Sequence, residues 1–270
     1  MRQSTISRAV CGFLLTTAAM ASQGTVIYSN VPDTLPGNLP SLGYQATSTS
    51  EFGDHITFAA GPRRLNTVTV TMSNWALESS YNTGGAGYNH DLTLNLYNYA
   101  GNAVAGGLIA TQTLNTLIPW RPEADPSCTS GGWLATDGSC YSGLAFNVVF
   151  DFSALDILLP NEVVLGLAFN TQSYGESPTG VGGPYNSLNF ALGGAPTVGT
   201  DNNPDGVFWN TSHQPFLDSG TAGVFGQDTN WAPYVPAIAI DANAVPEPGS
   251  LALIGLGLAG LAVSRRRKSV

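Results

Sequence analysis

Positive charge is scarce in most of this chain. Of nine Lys and Arg in 270 residues, Arg2 and Arg8 lie near the start and four lie near the end. Residues 22–244 therefore hold only Arg63, Arg64 and Arg121, and no lysine. All eighteen acids except Glu247 fall in the same stretch, so three positive charges face seventeen negative ones, a net −14. Such a surface argues against nucleic acid and anionic membranes as partners of this region. It is compatible with cations, neutral polysaccharide or plain solubility.

Catalytic signatures are equally sparse. The three histidines, His55, His90 and His213, are scattered, and neither H-x-x-x-H nor H-E-x-x-H occurs. That removes the usual helix-borne zinc sites. No G-x-S-x-G nucleophile elbow is present. Glu51, Glu78, Glu123, Glu162 and Glu176 could serve a glycosidase, which needs two carboxyls flanking a sugar, but no spacing pairs them. There are three cysteines. Cys11 sits in an N-terminal apolar stretch, which leaves Cys128 and Cys140. An even pair in an exported region predicts a disulfide. Its short loop, Thr-Ser-Gly-Gly-Trp-Leu-Ala-Thr-Asp-Gly-Ser, has little else to fold around. A metal site there is the weaker alternative, since no histidine lies nearby.

Long apolar runs occur only at the ends. Arg2 and Arg8 precede Ala9 to Met20, which closes on Ala19-Met20-Ala21. A basic start, an apolar stretch and a small-x-small close predict a signal peptide over residues 1–21, cut by signal peptidase after Ala21. At the other end, Val245, Pro246, Glu247 and Pro248 precede Gly249 and Ser250. An uncharged run follows from Leu251 to Val263, then Arg265, Arg266, Arg267 and Lys268. The two prolines hold Glu247 on extended backbone, because each disfavours helix for the residue before it. Ser250 suits a helix N-cap. The apolar run makes roughly 20 Å of helix, short of the roughly 30 Å hydrocarbon core. The basic cluster predicts a cytoplasmic C-terminus and an external body.

These three parts, in this order over residues 245–270, resemble a PEP-CTERM sorting segment. The resemblance implies a Gram-negative, exopolysaccharide-making host. It also implies an exosortase, a membrane protease that reads the Pro-Glu-Pro motif. The precursor would then be anchored transiently in the inner membrane before reaching the cell surface or the extracellular space. It says nothing of what residues 22–244 do.

Those 223 residues suit one large β domain. Period-two alternation is clear in Asn66 to Met72, where Val68, Val70 and Met72 oppose Thr67, Thr69 and Thr71. It recurs at Leu92, Leu94 and Leu96, and from Leu144 to Phe152. Val163 to Phe169 is apolar on both faces. Weaker strands are expected at Thr25 to Ser29, His55 to Ala59, Gly107 to Leu117, Leu188 to Leu192 and Ala237 to Asp241. Many short strands without helices predict an all-β, antiparallel, jelly-roll-like β-sandwich. Long loops are expected at 30–54, 119–142, 171–186 and 193–233.

Three readings of sites follow. Asp201, Asn203 and Asp205 match the first half of a calcium loop, oxygens at alternate positions before Gly206, though position twelve is Ser212. Ca²⁺ is thus the candidate cofactor, and a polar turn is the alternative. Trp75, Trp120, Trp133, Trp209 and Trp231 are placed at strand ends or in loops, where aromatic faces can stack on sugars or cover a sheet's open end. Trp120-Arg121-Pro122-Glu123 suggests a cation–π and ion-pair corner. The favoured function is an exported, non-catalytic surface or matrix protein that binds exopolysaccharide or a cation. The alternative is a secreted polysaccharide hydrolase.

Overall fold

Alternating β-branched and apolar residues do form the strands. A computed structural model describes residues 24–101, 103–171 and 184–244. The expected signal peptide and the sorting segment lie outside the described residues, as does Glu176. The strands run β1 (Thr25–Ser29), β2 (Ser41–Gly43), β3 (Thr49–Thr57) and β4 (Arg64–Asn74). A hairpin follows, β5 (Gly87–Tyr99) and β6 (Ala105–Pro119), then β7 (Trp133–Leu134), β8 (Cys140–Tyr141) and β9 (Leu144–Asp151). The remainder are β10 (Glu162–Ala168), β11 (Leu188–Gly193), β12 (Thr200–Asp201), β13 (Gly206–Thr211), β14 (Gly226–Thr229), β15 (Val235–Pro236) and β16 (Ile238–Asn243).

Among the described residues all strand pairing is antiparallel, in two seven-stranded sheets and a small hairpin of β7 with β8. In the first sheet β4 is central. β9 runs along one side of it, and β16 and β11 follow one another along the other. β1 lies outside β16. The second sheet runs β14, β13, β3, β10, β5, β6, with β12 also on β3. Val68, Val70, Phe150 and Ile240 of the first sheet and Phe52, Ile56, Leu94 and Leu165 of the second belong to one buried cluster. Each such side chain contributes roughly 1.5–3 kcal/mol by leaving water.

Three expected loops contain strands, the one at 119–142 carrying the β7–β8 hairpin. The Ser/Thr-rich stretch within 30–54 carries β2 and begins β3 at Thr49, six residues ahead of the expected His55. Within 193–233 lie β12, β13 and β14. β13 packs on β3, and its Gly-Val-Phe-Trp run is buried throughout, so it shows no alternation.

Glycines decide the middle of the second sheet. Gly53 and Gly166 are cross-strand partners on β3 and β10. A Cβ on Gly53 would fall 1.6 Å from the Leu165 carbonyl oxygen. No side chain fits there.

Candidate functional site

Cys128 and Cys140 are bonded, with Cα atoms 5.6 Å apart. The bond staples the β7–β8 hairpin, which lies outside both large sheets. Trp133 and Tyr141 stand opposite one another on it, ring centroids 5.9 Å apart. The Trp133 indole donates to the Gly143 carbonyl at 2.7 Å. Asp137 caps the hairpin turn, accepting from the Ser139 N–H and the Tyr141 hydroxyl, each at 2.8 Å. Those two donors hold its carboxyl below the usual carboxylate range, so it stays ionised. Gly37 packs on the Tyr141 ring so closely that a Cβ would approach it to 2.5 Å.

Between this hairpin and residues 34–37 lies an open groove of about 420 Å³, lined by Leu35, Pro36, Trp133, Thr136, Asp137 and Leu144 among others. Trp75 adjoins it through Gly143: a Cβ there would lie 2.7 Å from the Trp75 indole nitrogen. Trp75 is 44% exposed, and its indole N–H is anchored on Ser73 Oγ at 3.0 Å. Apolar walls with a few fixed polar groups suit a ring-shaped ligand with hydroxyls at its edge.

The other tryptophans do different work. Trp209 lies within β13 rather than at a strand end. It is buried and donates to Thr49 Oγ1 at 2.7 Å. Trp231 donates to Asp228 at 2.9 Å and packs 4.9 Å from Phe52. Trp120 stacks on Tyr81. The expected Arg121–Glu123 corner is not formed. Arg121 donates to the Gly131 carbonyl, and Glu123 accepts from the Ser79 N–H. Both side chains reach across to cap loops, where main-chain groups need partners.

The outer face of the second sheet carries two carboxylates. Glu51 is 8% exposed and accepts from Asn95 at 2.8 Å and the Tyr97 hydroxyl at 3.0 Å. Glu162 meets His55 Nε2 at 3.1 Å. Asn202 Nδ2 lies 2.9 Å from the same imidazole nitrogen and 3.4 Å from Glu162, and Tyr99 stacks on the ring at 3.6 Å. Burial pushes the His55 pKa down, against the opposing pull of Glu162. Glu51 pairs in register with Ala168, six residues along β10 from Glu162. At about 3.3 Å per residue, that separates the two acids by roughly 20 Å. A glycosidase pair needs about 5–10 Å. These two do not form one.

The calcium-loop residues divide between interior and surface. Asp201 is 7% exposed, and its Oδ1 accepts the Asn203 N–H at 2.8 Å. Asp205 is exposed. Among the described residues, no cluster of three or more His, Cys, Asp and Glu side chains is set for a metal ion. Sequence reasoning passed over Asp54, which is buried with Oδ2 unpartnered, and Tyr28, whose buried hydroxyl is also unpartnered. Asp54 stands between Phe52 and Ile56 at a core position. A charged residue in an apolar alternation was the available signal.

The family model for the PEP-CTERM protein-sorting motif matches residues 244–268. That region includes Val245, Pro246, Glu247, Pro248 and the basic cluster. The motif marks an exported protein sorted at its C-terminus. No curated protein and no solved structure matches the chain. No helix among the described residues is long and apolar enough to cross a membrane.

Proposed function

We propose that residues 22–244 form a non-catalytic, jelly-roll-like domain that binds neutral polysaccharide at the cell surface. The observation that carries this reading is the groove between residues 34–37 and the stapled hairpin, with Trp133 in its wall and exposed Trp75 beside it. Indole faces stack on sugar rings without needing charge. The ionised Asp137 and Thr136 offer acceptors for hydroxyls at the rim. An acidic domain has no electrostatic attraction for anionic glycans, which favours neutral ones.

Delivery follows from the ends of the chain. Signal peptidase would cut after Ala21, and an exosortase would read Val245-Pro246-Glu247-Pro248 while the apolar run holds the precursor in the inner membrane. The basic residues Arg265 to Lys268 would stay on the cytoplasmic side.

The test is binding of the full chain, in detergent, to a panel of neutral polysaccharides, with reducing ends assayed in parallel. Binding that falls about tenfold or more in Trp75→Ala and Trp133→Ala supports the reading, since losing one stacked ring costs about 1.4 kcal/mol or more. Release of reducing ends would instead establish a hydrolase. Failure to bind any member of the panel would end the proposal.

A further inference from the structure

A second site lies where β1, β3 and residues 199–205 meet. On β3, Phe52, Asp54 and Ile56 share the face that enters the apolar cluster, because side chains alternate along a strand. Asp201 is the cross-strand partner of Ile56, so it lies on that same face, diagonal to Asp54. Tyr28 reaches the spot from the first sheet. Its ring packs on Gly199, where a Cβ would approach Tyr28 Cδ2 to 2.8 Å. Ser29 N–H donates to the Val198 carbonyl at 3.0 Å and fixes that approach.

The ladder opens beside Asp54. From Ile56 to Gly53, β3 advances three residues while its neighbour advances seven, from Asp201 to Phe208. The extra residues bow away from the strand. Two buried oxygens are left there without hydrogen-bond partners, Asp54 Oδ2 and Tyr28 Oη. The other Asp54 oxygen accepts the His55 N–H at 2.7 Å. Tyr28 is fully buried and Asp54 is 2% exposed, so bulk water does not satisfy them. Leaving such groups unpaired is costly, on the order of 1–3 kcal/mol each, and more for a charge.

We propose that Asp54 and Asp201, with the Tyr28 hydroxyl, bind a hard divalent cation of the Ca²⁺ class. One ion placed among them would satisfy both orphan oxygens and neutralise two carboxylates that otherwise repel. A proton on Asp54 would remove its charge but add an O–H donor that needs a partner of its own. Asp54 is buried beside a second carboxylate, where bare charge is costly. An open cavity of about 440 Å³ borders Asp201 at the edge of this site, with Gly199, Thr200, Pro204, Pro233 and Val235 in its wall. Two carboxylates are few for Ca²⁺, which takes six to eight oxygens, so affinity belongs in the extracellular range, roughly 10⁻⁴ to 10⁻³ M. Asp201 is shared with the calcium-loop motif; Asn203 and Asp205 are not part of this site.

The experiment uses the full chain and Tb³⁺ as the probe, exciting tyrosine and reading sensitised Tb³⁺ emission, with Ca²⁺ as competitor. The expected result is saturable emission displaced by millimolar Ca²⁺. It should weaken about tenfold or more in Asp54→Asn, as loss of a ligand does, and remain unchanged in Asp205→Asn. Tyr28→Phe keeps the ring in the core and should lower emission even where Asp54→Asn folds poorly. Absence of Ca²⁺-displaceable emission in the parent chain overturns the proposal. So does the reverse pattern, with Asp205→Asn losing the ion and Asp54→Asn keeping it.

Discussion

Glu51 owes its position to the missing side chain of Gly166: a Cβ there would sit 2.2 Å from Glu51 Oε1 and 2.8 Å from the Phe225 ring. The glycine on β10 lets a carboxylate and an aromatic ring lie flat against the outer face of the sheet. Asn95 and Tyr97 then complete the carboxylate's bonding. Gly166→Ala should push both groups off the sheet and cost about 1–3 kcal/mol, the usual range for overpacking. Urea denaturation should show a lowered midpoint with an unchanged slope.

Reduction should act locally. The disulfide closes a short loop worth roughly 3 kcal/mol in the chain-entropy model. The hairpin it staples pairs with neither large sheet. Replacing Cys128 and Cys140 by Ser should therefore expose residues 125–139 to proteases while the two sheets survive as a resistant fragment. Mass spectrometry of a timed digest reads this directly. Cuts spread evenly through the sheets would contradict it.

Acid should destabilise the body through its imidazoles. Burial holds both His55 and His90 below the ordinary value of about 6.5, with Glu162 opposing the shift at His55 and the Asn170 carbonyl at His90. As pH falls below about 6.5, the unfolded chain takes up these protons first, so stability is lost from there down through the depressed folded values. Asp54 and Asp201, raised mainly by burial, work in the opposite direction and regain stability as they protonate. The His90→Gln variant isolates one contribution. The parent's stability advantage over it should shrink as pH drops from 7 to 5. A constant difference would remove His90 from the account.

Sorting should depend on one carboxylate. Glu247 is the one acidic residue of the matched region. Glu247→Ala should leave the precursor in the membrane fraction of its native host, where the parent is released. Equal release of both chains would show that the motif's acid is not read.

Strands with one wet face were legible in the sequence, as was β10, aliphatic on both covered faces, whereas β13 was not. Val68, Val70 and Met72 alternate with threonines because the other face of β4 is polar. β13 hides both faces, Trp209 inward and Phe208 beneath Phe225, so its pattern resembles a collapsed loop. Thr49 to Phe52 was obscured by a Ser/Thr run whose hydroxyls serve the interior: Thr49 takes the Trp209 indole N–H. The disulfide was legible from cysteine count and compartment. The groove beside it was not, because Gly37, Trp133 and Leu144 come together only through long-range packing. Asp201 was found from turn chemistry, whereas its neighbour Asp54 is 147 positions away in the chain and becomes a neighbour only through sheet register.

β1 and β16 pair so that Thr25 faces Ala242, which puts both ends of the body at one corner. β16 also supplies a long stretch of ladder to the central β4, and only Ala244 separates it from the sorting motif. For a chain delivered N-terminus first, the first sheet stays open until its last strand clears the export channel. The stretch that closes the sheet and the stretch a protease must grip are then neighbours on the same backbone. Completion of the fold fixes residues 238–243 in the sheet immediately before the segment that sorts the protein.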